Sequence, residues 1–175
     1  DFDGTVYKKE TFKILMKHLK EHPEYGKQYK PFFRAMLPGY LSYKLKLSSE
    51  DKMKERSMQL YLSAFKHSSL EKLHSFFKEV AIELKNDFNT DILKRIEWHR
   101  ANGDLIMLVS GSYTHLLDVI IKESQLPFDF IIGTEIPTMN QQVNNVDTMR
   151  HIQGDRKIEE IKKVLMDKEI DWQNS

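Results

Sequence analysis

Cysteine is absent from all 175 residues, which excludes disulfides, thiolate metal sites and a cysteine nucleophile. Glycine and proline are sparse, at 7 and 5, while aromatic residues reach 11%, so the chain is not a disordered one. A strong charge of either sign is missing too. With 27 basic and 26 acidic side chains, the net +1 argues against a nucleic-acid-coating protein or an acidic tail. No apolar run approaches the ~20 residues of a membrane-spanning helix, and no signal-peptide pattern opens the chain. What remains is a length suited to one compact domain, or a core with a modest insertion. The first residue is Asp1, with no Met before it.

Apolar spacing organises the first half. Phe12, Leu15, Met16 and Leu19 line one face of a helix that Pro23 ends. From 28 to 43 the chain is aromatic-rich, and Pro31 and Pro38-Gly39 are expected to break it into short helical pieces. Ser48 is expected to cap a helix carrying Met53, Ser57, Leu60, Tyr61, Ala64 and Phe65. Ser68 with Glu71 forms a capping box before Leu70, Leu73, Phe76, Phe77 and Val80. No strand candidate occurs over about 10–84.

The second half alternates. Thr90 opens a helix that Gly103 ends. Leu105-Ile106-Met107-Leu108-Val109 reads as a strand buried on both faces. Ser110-Gly111-Ser112 leads to another helix, and 128–132 is a second strand. Val143-Asn144-Asn145-Val146 is expected to be a hairpin turn. A final helix starts near Gly154, and Asp171 to Ser175 reads as the approach to a further strand. This order implies an α/β fold with a parallel sheet and right-handed crossovers.

The stretch Asp1-Phe2-Asp3-Gly4-Thr5 carries the sharpest chemistry. Two carboxylates two apart share one side of an extended strand, and Gly4 permits a sharp turn. Such a pair can hold Mg²⁺ while one carboxylate attacks phosphorus and the other moves protons. The plainer reading is a polar strand end. Ser110-Gly111-Ser112, beyond a strand, offers a hydroxyl and a backbone N–H to a phosphoryl oxygen, or simply an N-cap for the next helix. Lys157, in the first turn of the last helix, opposes the helix dipole, so an anionic partner would explain it; a solvated surface lysine is the alternative.

Taken in order, Asp1-Phe2-Asp3-Gly4-Thr5, Leu108-Val109-Ser110-Gly111-Ser112 and Gly154-x-x-Lys157 resemble the first three motifs of the haloacid dehalogenase superfamily. A helical insertion directly after the first motif resembles the phosphoserine-phosphatase-like branch. The resemblance implies a Rossmann-like three-layer α/β core, residues 1–9 and 85–175, with an all-helical cap at 10–84. It implies Asp1 as nucleophile, Asp3 as general acid and base, and both as Mg²⁺ ligands, Asp3 through its backbone carbonyl. It implies that Ser110 and the Gly111 N–H bind the phosphoryl group, beside Ser112, and that Lys157 stabilises the charge that develops. The family's acidic fourth motif has no counterpart here and by resemblance falls beyond Ser175. Together with the missing strand before Asp1, this suggests a chain trimmed at both ends.

The same branch places a substrate-binding Glu after the first motif and an Arg in the cap. Glu10 and Arg56 occupy matching positions, with Arg34 a rival; a helix-start acid and a solvated helix face are the plainer readings. From Lys8 to Arg56 there are 13 basic and 6 acidic residues, which would steer a small anionic phosphoester. His99, His115 and His151 show no metal spacing and read as surface or ordinary polar residues. Gly4 replaces the Ser common in phosphoserine phosphatases, so phosphoserine itself is not implied. The expectation is Mg²⁺-dependent hydrolysis of a small phosphorylated metabolite through an aspartyl-phosphate. It includes a cytoplasmic location and neither nucleic acid nor membrane as partner. The alternatives are a binding or regulatory protein that has lost catalysis, and a phosphotransferase to an acceptor other than water.

Overall fold

Thr11, Leu15 and Leu19 recur every four residues, and burying that stripe makes α1 (Thr11–Glu21). The computed structural model that holds these details describes residues 1–144 and 149–166. Helix α2 (Tyr29–Lys44) is continuous, not the short pieces expected from its prolines. Pro31 sits in the first turn, where its missing N–H costs nothing, and Pro38 is accommodated inside the helix. Packing outweighs the lost bond: buried Phe32 meets Phe12 and Tyr61 edge-on, with ring centroids 6.5 and 5.5 Å away.

Helix α3 (Glu50–Leu62) is capped by Ser49, one residue after the expected Ser48; its hydroxyl accepts the Lys52 N–H. Helix α4 (Leu70–Leu84) is capped by Ser69 rather than Ser68. The reason is that Ser68 is engaged elsewhere, its carbonyl accepting the Val143 N–H. Six apolar residues of α4 are buried, from Leu73 to Leu84, and all but Ala81 contribute roughly 1.5–3 kcal/mol each. Asn89, not Thr90, caps α5 (Thr90–Ala101).

Strand β1 (Met107–Tyr113) pairs in parallel with β2 (Phe130–Thr134), and α6 (Thr114–Ser124) makes the crossover. Both strands lie two residues later than the apolar runs suggest, because the Asp129 carboxylate accepts the Ile106 N–H and pairs with Arg100 ahead of the ladder. The register runs from Met107↔Phe130 to Val109↔Ile132 and resumes at Tyr113↔Thr134. Residues 110–112 therefore form a bulge in β1, a device that aims side chains at sheet ends.

The hairpin of β3 (Thr138–Met139) and β4 (Gln142–Val143) turns at Asn140-Gln141. Both turn residues have positive φ, 50° and 60°, as a two-residue hairpin loop demands. The turn expected at Val143-Asn144-Asn145-Val146 runs into 145–148, which lie outside the described residues. Helix α7 (Asp155–Leu165) packs on β1 and β2. The expected strand approach at 171–175 lies outside the described residues.

The fold is thus α/β, with a parallel-sheet core and an all-helical portion before it. One hydrophobic core joins the two. Aromatic contacts run through it from Tyr61 to Phe65, Phe76, Phe77 and Tyr113, the last pair stacked at 6.1 Å. Tyr113 also donates its hydroxyl to the Met58 carbonyl at 2.6 Å, fastening the end of β1 to α3.

Candidate active site

Buried Phe2 anchors the first motif, its ring stacked on Tyr7 at 5.9 Å. Gly4 has φ +74°, a conformation open to glycine, and lets the Thr5 and Tyr7 N–H groups turn back to the Phe2 carbonyl. The Asn89 N–H to the Val6 carbonyl, at 2.8 Å, ties the segment to the start of α5. With Phe2 turned inward, Asp1 is exposed and Asp3 half-buried on the other side.

Lys157 Nζ donates to Asp1 Oδ2 at 2.8 Å, across 156 residues of sequence. Asp1 Oδ1 accepts the Phe2 N–H at 2.8 Å. The lysine in the first turn of α7 therefore faces an anion. Burial nevertheless pulls its ammonium below the ordinary lysine value; the Asp3 charge opposes that and Lys54 adds to it.

Asp3 Oδ1 accepts two bonds from Thr11, one from the backbone N–H at 2.9 Å and one from the hydroxyl. Burial pushes the Asp3 carboxyl above its ordinary value. The Thr11 bonds and Lys54 pull the other way, while Glu10 adds to the rise. Among the described residues, Asp3 Oδ2 takes no hydrogen bond, so it remains free for a cation or a proton.

Ser110 and Gly111 lie in the β1 bulge. The Ser110 side chain is buried, and its hydroxyl accepts the Ser112 N–H at 3.2 Å. Ser112 is buried as well. Behind them the Thr134 hydroxyl donates to the Gly111 carbonyl at 2.8 Å and accepts the Ile152 N–H at 3.0 Å. A Cβ at Gly111 would stand 2.8 Å from His151 Nε2 and 3.2 Å from the Ile152 carbonyl, so the close approach requires glycine.

His151, expected to be a surface or ordinary polar residue, is buried against this turn. Burial pulls its imidazole below the ordinary value, against the pull of Glu55, with Lys54 adding to the fall. Sequence spacing gave no sign of this, because the burial comes from Gly111 folding onto 151–152. Arg156 completes the link to α3, donating to the His151 carbonyl at 3.1 Å and to Glu55 at 3.2 Å.

Among the binding residues named from the sequence, Glu10 lies beside Asp3, is exposed and pairs with Lys13 at 3.1 Å. Arg56 lines a separate groove with Gln59, Leu60 and Ser63. Arg34 is exposed on α2. The α3 cation that Asp3, Lys157 and His151 all feel is Lys54, two residues before Arg56. Spacing alone does not reveal which side of α3 meets the carboxylates.

His18, His22 and Glu79 form a further cluster, with nitrogens and carboxylate within 4.8 Å of one another. His22 Nδ1 accepts the Glu24 and Tyr25 N–H groups at 3.1 and 3.2 Å. With Nδ1 accepting, the His22 proton sits on Nε2, the nitrogen that faces Glu79 at 3.6 Å.

Solved structures share this fold. A protein with unknown function from Bordetella pertussis Tohama I superposes with a TM-score of 0.71 at 13% identity, over 95% of this chain and 72% of that one. A HAD family hydrolase from Salmonella enterica subsp. enterica serovar Typhi gives 0.63 at 10% identity, over 95% of this chain and 49% of that one. A substrate-bound phosphoserine phosphatase gives 0.54 at 15% identity, over 95% and 68%. No curated protein matches the chain in sequence. The family model for haloacid dehalogenase-like hydrolases matches residues 1–175, and the chain belongs to that family.

Proposed function

We propose that the protein hydrolyses a small phosphomonoester through a phosphorylated Asp1. The observation that carries this reading is the 2.8 Å pair of Asp1 and Lys157 beside a half-buried Asp3 with a raised carboxyl. Asp1 Oδ2 attacks phosphorus and the P–O bond to the alcohol breaks. Asp3 holds the proton that the departing alcohol needs, and a raised carboxyl suits that task. It then takes a proton from the water that attacks the aspartyl-phosphate, releasing phosphate and restoring Asp1. Lys157 balances negative charge on the nucleophile and the transferring group. The Ser110 hydroxyl and the Gly111 N–H are the proposed phosphoryl-oxygen donors at the sheet end, with Ser112 next to them.

The donor set suits Mg²⁺, a hard cation commonly held by one or two carboxylates. The Asp1 carboxylate and the Asp3 backbone carbonyl would hold it, and when bound it would supply positive charge to the phosphoryl oxygens. Residues 10–84 act as a cap over a core of 1–9 and 85–175. Within it, Glu10 and Lys54 are the groups whose charges reach Asp3, and Arg56 lies farther along α3. A closed cap excludes bulk water from the intermediate.

The test is phosphate release by the full-length protein from p-nitrophenyl phosphate and a panel of small phosphomonoesters. Mg²⁺-dependent turnover that Asp1→Asn abolishes is expected. Undiminished, metal-independent turnover in Asp1→Asn overturns the reading.

A further inference from the structure

Helix α2 buries only Phe32 fully. On its open side Phe33, Leu37, Tyr40 and Leu41 follow at i, i+4, i+7 and i+8, forming an exposed apolar stripe. Leu45 and Leu47 extend it and are 69% and 77% exposed. Ile82, Trp98 and Leu105 stand singly on separate elements, which is ordinary for a protein surface, and Ile158, Val164 and Met166 are exposed along α7 and its cap. The α2 stripe is continuous over about 18 Å of helix.

The end of the stripe is rigid. Leu47 N–H bonds to the Ser42 carbonyl and Lys46 N–H to the Tyr43 carbonyl, both at 2.9 Å, closing the helix as a Schellman turn. Lys46 occupies the left-handed position at φ +58°. In that motif the residue at Leu47's position commonly packs back on the helix; here it projects into solvent. Two leucines thus stand out into solvent at a hydrogen-bonded turn.

Within the segment that carries the stripe, charge has one sign, the nearest acids being Glu24 before it and Glu50 and Asp51 after it. From 25 to 49 there is no Asp or Glu, while Lys27, Lys30, Arg34, Lys44 and Lys46 are all present. Lys30 and Arg34 sit beside Phe33, and Lys44 rests over the Tyr40 and Tyr43 rings at 5.5 and 5.8 Å. An apolar stripe flanked by cations is the pattern of a helix lying in a membrane interface. A protein partner would need a matching hollow for the protruding leucines, whereas a bilayer deforms around them.

We propose that α2 and the turn after it dock this protein on an anionic lipid surface, with Leu41, Leu45 and Leu47 entering the acyl boundary and the lysines meeting the headgroups. None of the described helices is long and apolar enough to cross a membrane, and the docking proposed for α2 needs none that does. It goes beyond the phosphatase reading and is read out without activity.

The experiment is vesicle co-sedimentation of the full-length protein. Phosphatidylcholine vesicles are compared with vesicles containing about 30% phosphatidylserine, at low and high salt. The protein is expected to bind the anionic vesicles at least about tenfold more tightly than neutral ones, and to be released by salt. Leu45→Asp with Leu47→Asp, and separately Lys44→Glu with Lys46→Glu, should each weaken binding about tenfold or more. Their circular dichroism should match the parent, since the leucines are exposed. No binding to anionic vesicles overturns the proposal, as does equal binding to neutral ones or binding that survives either substitution pair. Self-association that the leucine substitutions abolish, without lipid binding, assigns the face to a second copy and overturns it too.

Discussion

Lys157 lies 2.8 Å from Asp1, so the first turn of α7 and the first residue of the D-x-D motif share one ion pair. The pair joins groups 156 residues apart in sequence, and the lysine is partly shielded from water. Replacing Lys157 with Met should lower kcat by about 100-fold or more, as loss of a preorganised charge does. Lys157→Arg should recover part of it. Steady-state kinetics on the substrate found in the phosphomonoester panel checks both.

Asp3 carries an unusual stability signature. Burial raises its carboxyl, so the folded protein holds that proton more tightly than the unfolded chain does. The stability this gives is present below the unfolded value and is lost as pH rises through the folded one. At neutral pH the ionised, half-buried carboxylate is a net cost. Asp3→Asn, which can still accept from Thr11, should raise Tm near neutral pH, with the gain fading as pH falls into the carboxylate range. Thermal melts across pH in buffer without divalent metal measure this; an unchanged or lower Tm at neutral pH contradicts it.

The Tyr113 hydroxyl is fully buried and bonded to the Met58 carbonyl. Tyr113→Phe leaves that carbonyl without its donor and should cost about 1–2 kcal/mol. Denaturant unfolding gives the number. Because the bond fastens β1 to the helix that carries Lys54, amide exchange in α3 should speed up in the same variant.

Gly111→Ala drives a methyl against His151 Nε2 and the Ile152 carbonyl. A stability loss of about 1–3 kcal/mol is expected. Removing the imidazole relieves one of the two clashes. The loss in the Gly111→Ala, His151→Ala double variant should therefore be smaller than the sum of the singles. Additive losses would show that the two residues do not press on each other.

Much of this was readable from residue order. The D-x-D string, the Ser-Gly-Ser after an apolar run and the early Lys157 gave the family. Hydrophobic spacing gave the helices and the parallel strands. What failed was local competition. Ser68 lost the capping role because its carbonyl is bonded to Val143, and Pro38 did not break α2 because Phe32 holds that helix in the core. The β3–β4 hairpin went unread because its positive-φ turn is built from Asn140-Gln141, which carries no glycine to mark it. Lys54 and His151 were invisible for a different reason: their surroundings are made by α3, α7 and the β1 bulge meeting in space. The exposure of Leu45 and Leu47 likewise depends on the closed turn after α2.

The central claim is covalent chemistry on Asp1. The most direct measurement is rapid acid quench of the full-length protein during turnover of a radiolabelled phosphomonoester, followed by peptide mapping. The account predicts an acid-stable, hydroxylamine-labile phosphoryl group on Asp1 that forms and decays at rates consistent with kcat. A phosphoryl group on another residue, or steady turnover with Asp1 never labelled, would contradict it.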